Sequence, residues 1–248
     1  MNYIPSREQL KNSIRKHVNT SESDQNKGVP MPPIQEEKGS DTIISLPDPS
    51  KIELPSMNPY DFIHERASVR TFSDRGMSLE ELSFLLYATQ GVRRHSSERP
   101  LRTVPSAGNR QPFDTYLAVF KVEGLEEGIY HYLPLSHELE LISQPKKLAQ
   151  KVGQASNKQT FVGKGAVTFF WSVIPYRTEW RYLEGSYKVI SVDAGHLCQN
   201  LYFASYAIGA GTCAICAYDQ ELCDELLGLD GEDEFVIYLA PVGFSARE

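Results

Sequence analysis

A chain of 248 residues, 41% of them hydrophobic, can bury one large core or two small ones, and its formal charge of −7 argues against a nucleic-acid partner. The start, MNYIPSREQLKNSIRKH, has no apolar stretch behind a basic patch, and the longest apolar run, AVTFFWSVI at 166–174, falls far short of the ~18 residues a membrane helix needs. Four cysteines at irregular spacing make no disulfide framework, so a cytoplasmic protein without a membrane partner is expected.

Residues 1–57 differ from the rest. The stretch SESDQNKGVPMPPIQEEKGSDT is rich in Ser, Pro and charge and poor in large apolar residues, so it cannot bury a core alone. It reads as a polar arm that orders only against the body or a second subunit, and residues 58–248 read as the folded domain. Asn58 caps a first helix with Pro59 at its first position, where no N–H is needed. Ser78 and Glu81 form a capping box for a second helix, MSLEELSFLLYATQGV, which Gly91 ends.

The pattern then changes to short β-branched and aromatic runs, TYLAVFKV, GIYHYL and HELELI, expected as consecutive antiparallel strands. PKKLAQKVGQ opens a helix at Pro145, and GAVTFFWSVI is apolar on both alternations, as a central strand should be. RTEWRYLEGSYK reads as an aromatic and cationic loop over a pocket, serving substrate selection or interface packing. In the next helix Ile190, Ala194, Leu197, Leu201, Ala204 and Ile208 form one apolar stripe and Val189, His196 and Phe203 a second, so burial on most sides is expected. A strand TCAICA, a helix YDQELCDELLG and a last strand FVIYLAPVGF complete an α+β domain, a mixed, mainly antiparallel sheet flanked by helices with a long buried central helix.

Three features bear on chemistry. In extended backbone Arg66, Ser68 and Arg70 of HERASVRTF point one way, which suits either an anion grip or a solvated edge. Cys213 and Cys216 have the spacing of a metal pair, but no second close pair accompanies them, and buried small hydrophobes with no metal are expected. His196 reads as a satisfied core histidine. Neither a GxGxxG turn nor a phosphate-binding GKS/T loop is present.

The ordered set ERASVRTF, LSFLLYATQGV, PSAGNRQPF, EEGIYHYLPLSHELELI, VDAGHLCQNLYFASYAIGAGTCAI and LLGLDGEDEFVIYLAPVGF resembles the FMN-dependent nitroreductase superfamily over about residues 57–244. Within it the chain looks most like the SagB/ThcOx branch of azoline oxidases. The resemblance implies FMN as cofactor and a homodimer with shared FMN sites. Pro105, Ser106 and Ala107, close to Asn109 and Gln111, would lie against the flavin ring bound mainly by the other subunit. Arg66, Ser68 and Arg70 would hold phosphate and ribityl chain, the backbone of Gly209, Ala210, Gly211 and Thr212 would approach the ring, and Arg247 would reach the phosphate. Tyr187 and Lys188 approximate, in reversed order, the Lys–Tyr pair of azoline oxidation. The implied activity is ping-pong oxidoreduction between a donor, with NAD(P)H one option, and a small-molecule or peptide partner. Azoline-ring oxidation with O2 as acceptor and a non-catalytic flavin-binding module are the alternatives.

Overall fold

The computed structural model describes residues 7–8, 10–35, 39–94 and 99–245. Its centre is a seven-stranded sheet in the order β1-β6-β5-β4-β7-β9-β8. The strands are β1 (Ile43–Ser45), β4 (Phe113–Val119), β5 (Gly128–Leu133), β6 (Glu138–Ser143), β7 (Val167–Val173), β8 (Gly211–Thr212) and β9 (Phe235–Gly243); β2 (Val92–Arg94) and β3 (Leu101–Arg102) form a separate ribbon. Every named pair is antiparallel, and parallel pairing enters only through single bridges such as Ser68 with Thr212.

The period-2 alternation of the strands sorts the core into two layers. Leu117, Val119, Phe169 and Trp171 face one side, packing on α2 (Leu79–Gln90) and α5 (Ser186–Ala207) through Leu82, Leu86, Leu197 and Leu201. Tyr116, Ala118 and Phe170 face the other, packing on α3 (Leu148–Ala155) and α6 (Gln220–Leu227) through Val152 and Leu227. Each large side chain so enclosed contributes about 1.5–3 kcal/mol. The helix starts follow their caps: the Asn58 side chain accepts from Tyr60 N at α1 (Pro59–Glu65), and Ser78 and Glu81 complete both halves of the capping box at α2.

The outer edge of β9 is closed. Val236 N donates to Asp224 Oδ1 at 2.7 Å, its carbonyl accepts from Tyr218 Oη and Gln220 Nε2 at 2.9 Å each, and Leu239 pairs with Ile215. Side chains around α6 thus occupy groups that would otherwise recruit another strand.

The described part of the N-terminal arm lies on its own body. Trp180 Nε1 donates to Val29 O at 3.0 Å, Arg177 Nε to Pro33 O at 2.9 Å and Arg102 Nη2 to Ile34 O at 2.8 Å, while Glu140 Oε2 accepts from Gly39 N at 2.9 Å. Residues 43–45 then join the sheet as its edge strand β1.

Four local expectations are corrected. The helix after Pro145 begins at Leu148, because Lys147 before it takes the left-handed conformation at φ 58°. Most of TCAICA is not a strand: β8 stops at Thr212, and only the single Ile215 bridge follows. RTEWRYLEGSYK is helical, forming α4 (Tyr176–Tyr182), a short 3₁₀ turn and the start of α5. Finally, α5 is buried along the Ile190, Ala194, Leu197, Leu201 and Ala204 stripe but leaves Tyr187, Val192 and Phe203 exposed, so one face of it is open in a single chain.

Candidate functional site: two half-sites along one helix

The loop PSAGNRQPF is held by its own polar groups. Gln111 Nε2 donates to Asn109 Oδ1 at 3.0 Å, Asn109 Nδ2 to Pro100 O at 3.2 Å, and Gln111 N to Ser106 Oγ at 3.0 Å. Gly108, Asn109 and Gln111 have φ of 58°, 53° and 49°. Left-handed backbone at a non-glycine residue costs roughly 1–3 kcal/mol and persists where surroundings enforce it. The enforcing contact is Asp193 of α5, whose Oδ2 accepts from Ala107 N at 2.7 Å. Burial raises the Asp193 carboxyl above its ordinary range, partly offset by that amide and by His196. Asn109 and Gln111 are therefore spent on loop geometry, and Pro105 is left exposed at its tip.

Two residues of the segment read as a pocket roof, Arg181 and Tyr182, join this loop: a side chain at Gly108 would stand 2.6 Å from Tyr182 Oη and 3.2 Å from Arg181 Cδ, so the end of α4 packs directly on the turn. The Asp193 clamp was missed from the sequence; its signal was an acid among the apolar residues of a helix, which needs a buried donor nearby.

The second half-site forms where α5 ends. Arg66, Ser68 and Arg70 lie exposed in extended backbone, with Val69 N donating to Thr212 O at 2.9 Å. Tyr202 ties this segment to the turn after α5: its hydroxyl meets Ser68 Oγ at 3.0 Å and accepts from Ala214 N at 3.0 Å, and the Arg66 guanidinium lies 5.4 Å over its ring. Arg70 Nη1 reaches Ser68 O at 3.3 Å. Neither arginine has a carboxylate partner among the described residues, so both guanidinium forks remain available for an anion. Gly209 turns the chain at φ 73°, and a Cβ at Gly211 would overlap Val69, which fixes the close approach of residues 209–212 to the 66–70 segment.

These two groups stand apart within the chain. Asp193 and Tyr202 are nine positions apart on α5, roughly 14 Å at 1.5 Å per residue. Tyr187 and Lys188 belong with neither set: both are exposed in the first turn of α5, about 100° apart around the axis. Tyr187 lines a cleft of 670 Å³ between the arm, α4 and the ends of β7 and β9. Arg247 lies outside the described residues. His196 is half exposed rather than a satisfied core histidine: its Nδ1 is 3.8 Å from Asp193 Oδ1 and makes no hydrogen bond to a described residue.

Cys213 is buried and Cys216 exposed, burial pushes Cys198 up to about 12, and no group of three metal-ligating side chains occurs among the described residues. No described helix is long and apolar enough to cross a membrane.

Comparison with known proteins gives the family. The Nitroreductase family model matches residues 63–244. A protein of Methanocaldococcus jannaschii named as a candidate nitroreductase, MJ1384, is 33% identical over 201 residues, covering 81% of this chain and 95% of that one. The trifolitoxin-processing protein TfxB of Rhizobium leguminosarum bv. trifolii is 28% identical over 200 residues, 73% of this chain and 52% of that one. The crystal structure of a candidate nitroreductase from Ralstonia eutropha superposes with a TM-score of 0.69 at 24% identity, covering 88% of this chain and 97% of that one. With its antiparallel sheet flanked by helices and the family model matching residues 63–244, the chain belongs to the nitroreductase family of oxidoreductases.

Proposed function

We propose that the chain is an FMN-dependent oxidoreductase that works as a homodimer, each FMN being held by Arg66, Ser68, Arg70 and residues 209–212 of one subunit and covered by residues 105–111 of the other. The observation that carries this is the pair of exposed guanidinium groups at Arg66 and Arg70, without a carboxylate partner among the described residues, beside the close approach of residues 209–212 to that segment. The loop at 105–111, held by Asp193, lies nine positions from Tyr202 along α5 and about half a turn from it around the axis, so loop and arginine segment of one chain are assigned to the two different sites of a dimer. The residues present suit the cofactor: two guanidinium groups without a carboxylate partner for its phosphate, and a tight, small-residue loop that lets a flat ring touch backbone.

When bound, FMN supplies two-electron redox chemistry at its ring. The chain's own part is positioning. Asp193 fixes the Ala107 amide, the strained turn at 108–111 keeps polar side chains away from the loop's outer surface, and Tyr182 packs against the turn at Gly108. Tyr187, in the cleft beside α5, is available for contact with substrate rather than with the loop.

The direct test is the visible spectrum of the purified protein and the identity of any chromophore released on denaturation. FMN at about one per chain supports the proposal; a colourless protein that cannot be loaded with FMN overturns it. A second reading, azoline oxidation with O2 as acceptor, is favoured by the similarity to a trifolitoxin-processing protein. Rapid bleaching of the flavin by NAD(P)H supports the nitroreductase-type reaction, and bleaching only by an azoline peptide supports the second.

A further inference from the structure

The cleft at the start of α5 has a composition that selects a ligand. Its floor is apolar, made of Val173, Ile190, Phe235 and Ile237, with Pro33 of the arm as one wall. Two aromatic rings flank it, Tyr176 and Tyr187, each presenting a large exposed surface. Its charged side chains are Arg177, Glu179, Glu232 and Asp233. The arginine contributes little positive field, because both of its terminal nitrogens bond Asp114, at 2.7 Å and 3.1 Å. What remains is three carboxylates, none of which forms an ion pair with a described residue.

Such a grouping is unfavourable when empty of positive charge. Burial and the neighbouring Asp233 carboxylate both raise the Glu179 carboxyl, the response of an acid that has negative company and no counter-charge. A bare divalent cation is not the answer, since the described carboxylates do not converge into a metal-ligating group, and a bare cation would have no use for the apolar floor. A phosphate- or carboxylate-bearing ligand would be repelled.

We infer that this cleft binds an organic cation, an amine or guanidinium carried on an apolar or aromatic body, with the body on the Ile190 and Phe235 floor and the charge among Glu179, Glu232, Asp233 and the two tyrosine rings. The binding follows from the cleft alone; that the ligand is the substrate of the enzyme rests on the flavin reading above. In that case the substrate is a basic molecule, such as an amine or the lysine or arginine side chain of a peptide, and the arm takes part in its selection by supplying a wall.

The test is titration calorimetry of the full chain with three ligands of similar shape: phenethylamine, 2-phenylethanol and 3-phenylpropionate. Phenethylamine is expected to bind about five- to tenfold more tightly than the alcohol, with the propionate weakest, and its advantage should shrink as salt is raised. In the double variant Glu232→Gln/Asp233→Asn, which changes two exposed loop positions, the amine should fall to the affinity of the alcohol while the alcohol is unchanged. Equal binding of all three, no binding of the amine, or an amine preference that survives the double variant would overturn the inference. Absorbance of the same samples reports FMN separately. Amine preference in protein that cannot hold FMN sustains the cleft and defeats only the flavin reading; FMN-loaded protein without amine preference does the reverse.

Discussion

Arg102 and Arg177 lie beneath the N-terminal arm, fully enclosed and bonded to Gln90, to Asp114 and to the carbonyl oxygens of Pro33 and Ile34. Arg66 and Arg70 stand in the open near the other end of α5, with a tyrosine ring and a backbone carbonyl for company. The side chains are the same, and their roles are opposite. Removing the partners of an enclosed guanidinium costs the fold more than the pair supplies, so Arg102, through its two terminal nitrogens, and Arg177 fasten the arm to the sheet. Burial brings Arg102 down to about 10, which leaves it charged at neutral pH and in need of those partners. An exposed guanidinium without a carboxylate adds almost nothing to stability and keeps its donors for a ligand.

The largest effect expected from this contrast is at Asp114. Burial opposes its ionisation, but Arg177, with His131 and Arg102 adding to it, holds the carboxyl below its ordinary range. Asp114→Ala leaves a buried guanidinium uncompensated and should cost about 3–5 kcal/mol in urea unfolding; a loss under about 1 kcal/mol would mean that water reaches the cluster. Arg66→Ala and Arg70→Ala invert the pattern. Each should leave unfolding within about 0.5 kcal/mol of the parent and weaken FMN binding by about 1.5–3 kcal/mol. Destabilisation with unchanged FMN affinity would assign them a structural role.

A smaller effect sharpens the same distinction between enclosed and open groups. His137 Nδ1 shares a hydrogen bond with Tyr132 Oη at 2.7 Å and its Nε2 another with Ser83 Oγ at 2.8 Å, and burial lowers its pKa against the opposing pull of Pro47 O and Asp48. The unfolded chain takes up a proton near pH 6.5 where the folded one does not, so this group's contribution is present above that pH and is lost as pH falls below it. The slope is at most about 1.4 kcal/mol per pH unit. His137→Asn, which tolerates the left-handed backbone at φ 56°, should remove that part of the pH dependence; identical profiles for the two proteins would exclude His137 as its source.

Much of the fold was legible because its signals are local. The Ser78–Glu81 box, the β-branched and aromatic run beginning at Thr115 and the unbroken apolar run of β7 each specify an element without help from elsewhere. Elements defined by distant partners were not. The arm has no apolar pattern because it is held mainly through backbone groups, accepting from arginines and a tryptophan more than 60 residues away. Arg177 looked like part of a pocket roof because its partner Asp114 lies 63 residues away, just before the strand read from Thr115, with nothing local to pair the two. β8 is too short to announce itself, and α4 hid among aromatic and charged residues that suit a loop equally well. In the candidate site, residue types at 66–70 and 105–111 were readable, whereas the Asp193 clamp, the Tyr202 hub and the contact of Tyr182 with Gly108 depend on which helix faces which turn.

The central claim, that one FMN is held by two subunits, is tested most directly by complementation. One variant, Arg66→Ala/Arg70→Ala, lacks the phosphate grip, and another, Ala107→Trp, fills the loop's ring seat; neither should retain FMN alone. Co-expressed, they form heterodimers in which one site combines the intact arginine segment of one chain with the intact loop of the other. The account predicts recovery of about one FMN per heterodimer, read from flavin absorbance against protein. No recovery in a heterodimer that has demonstrably formed would place both half-sites' work within a single chain and contradict it.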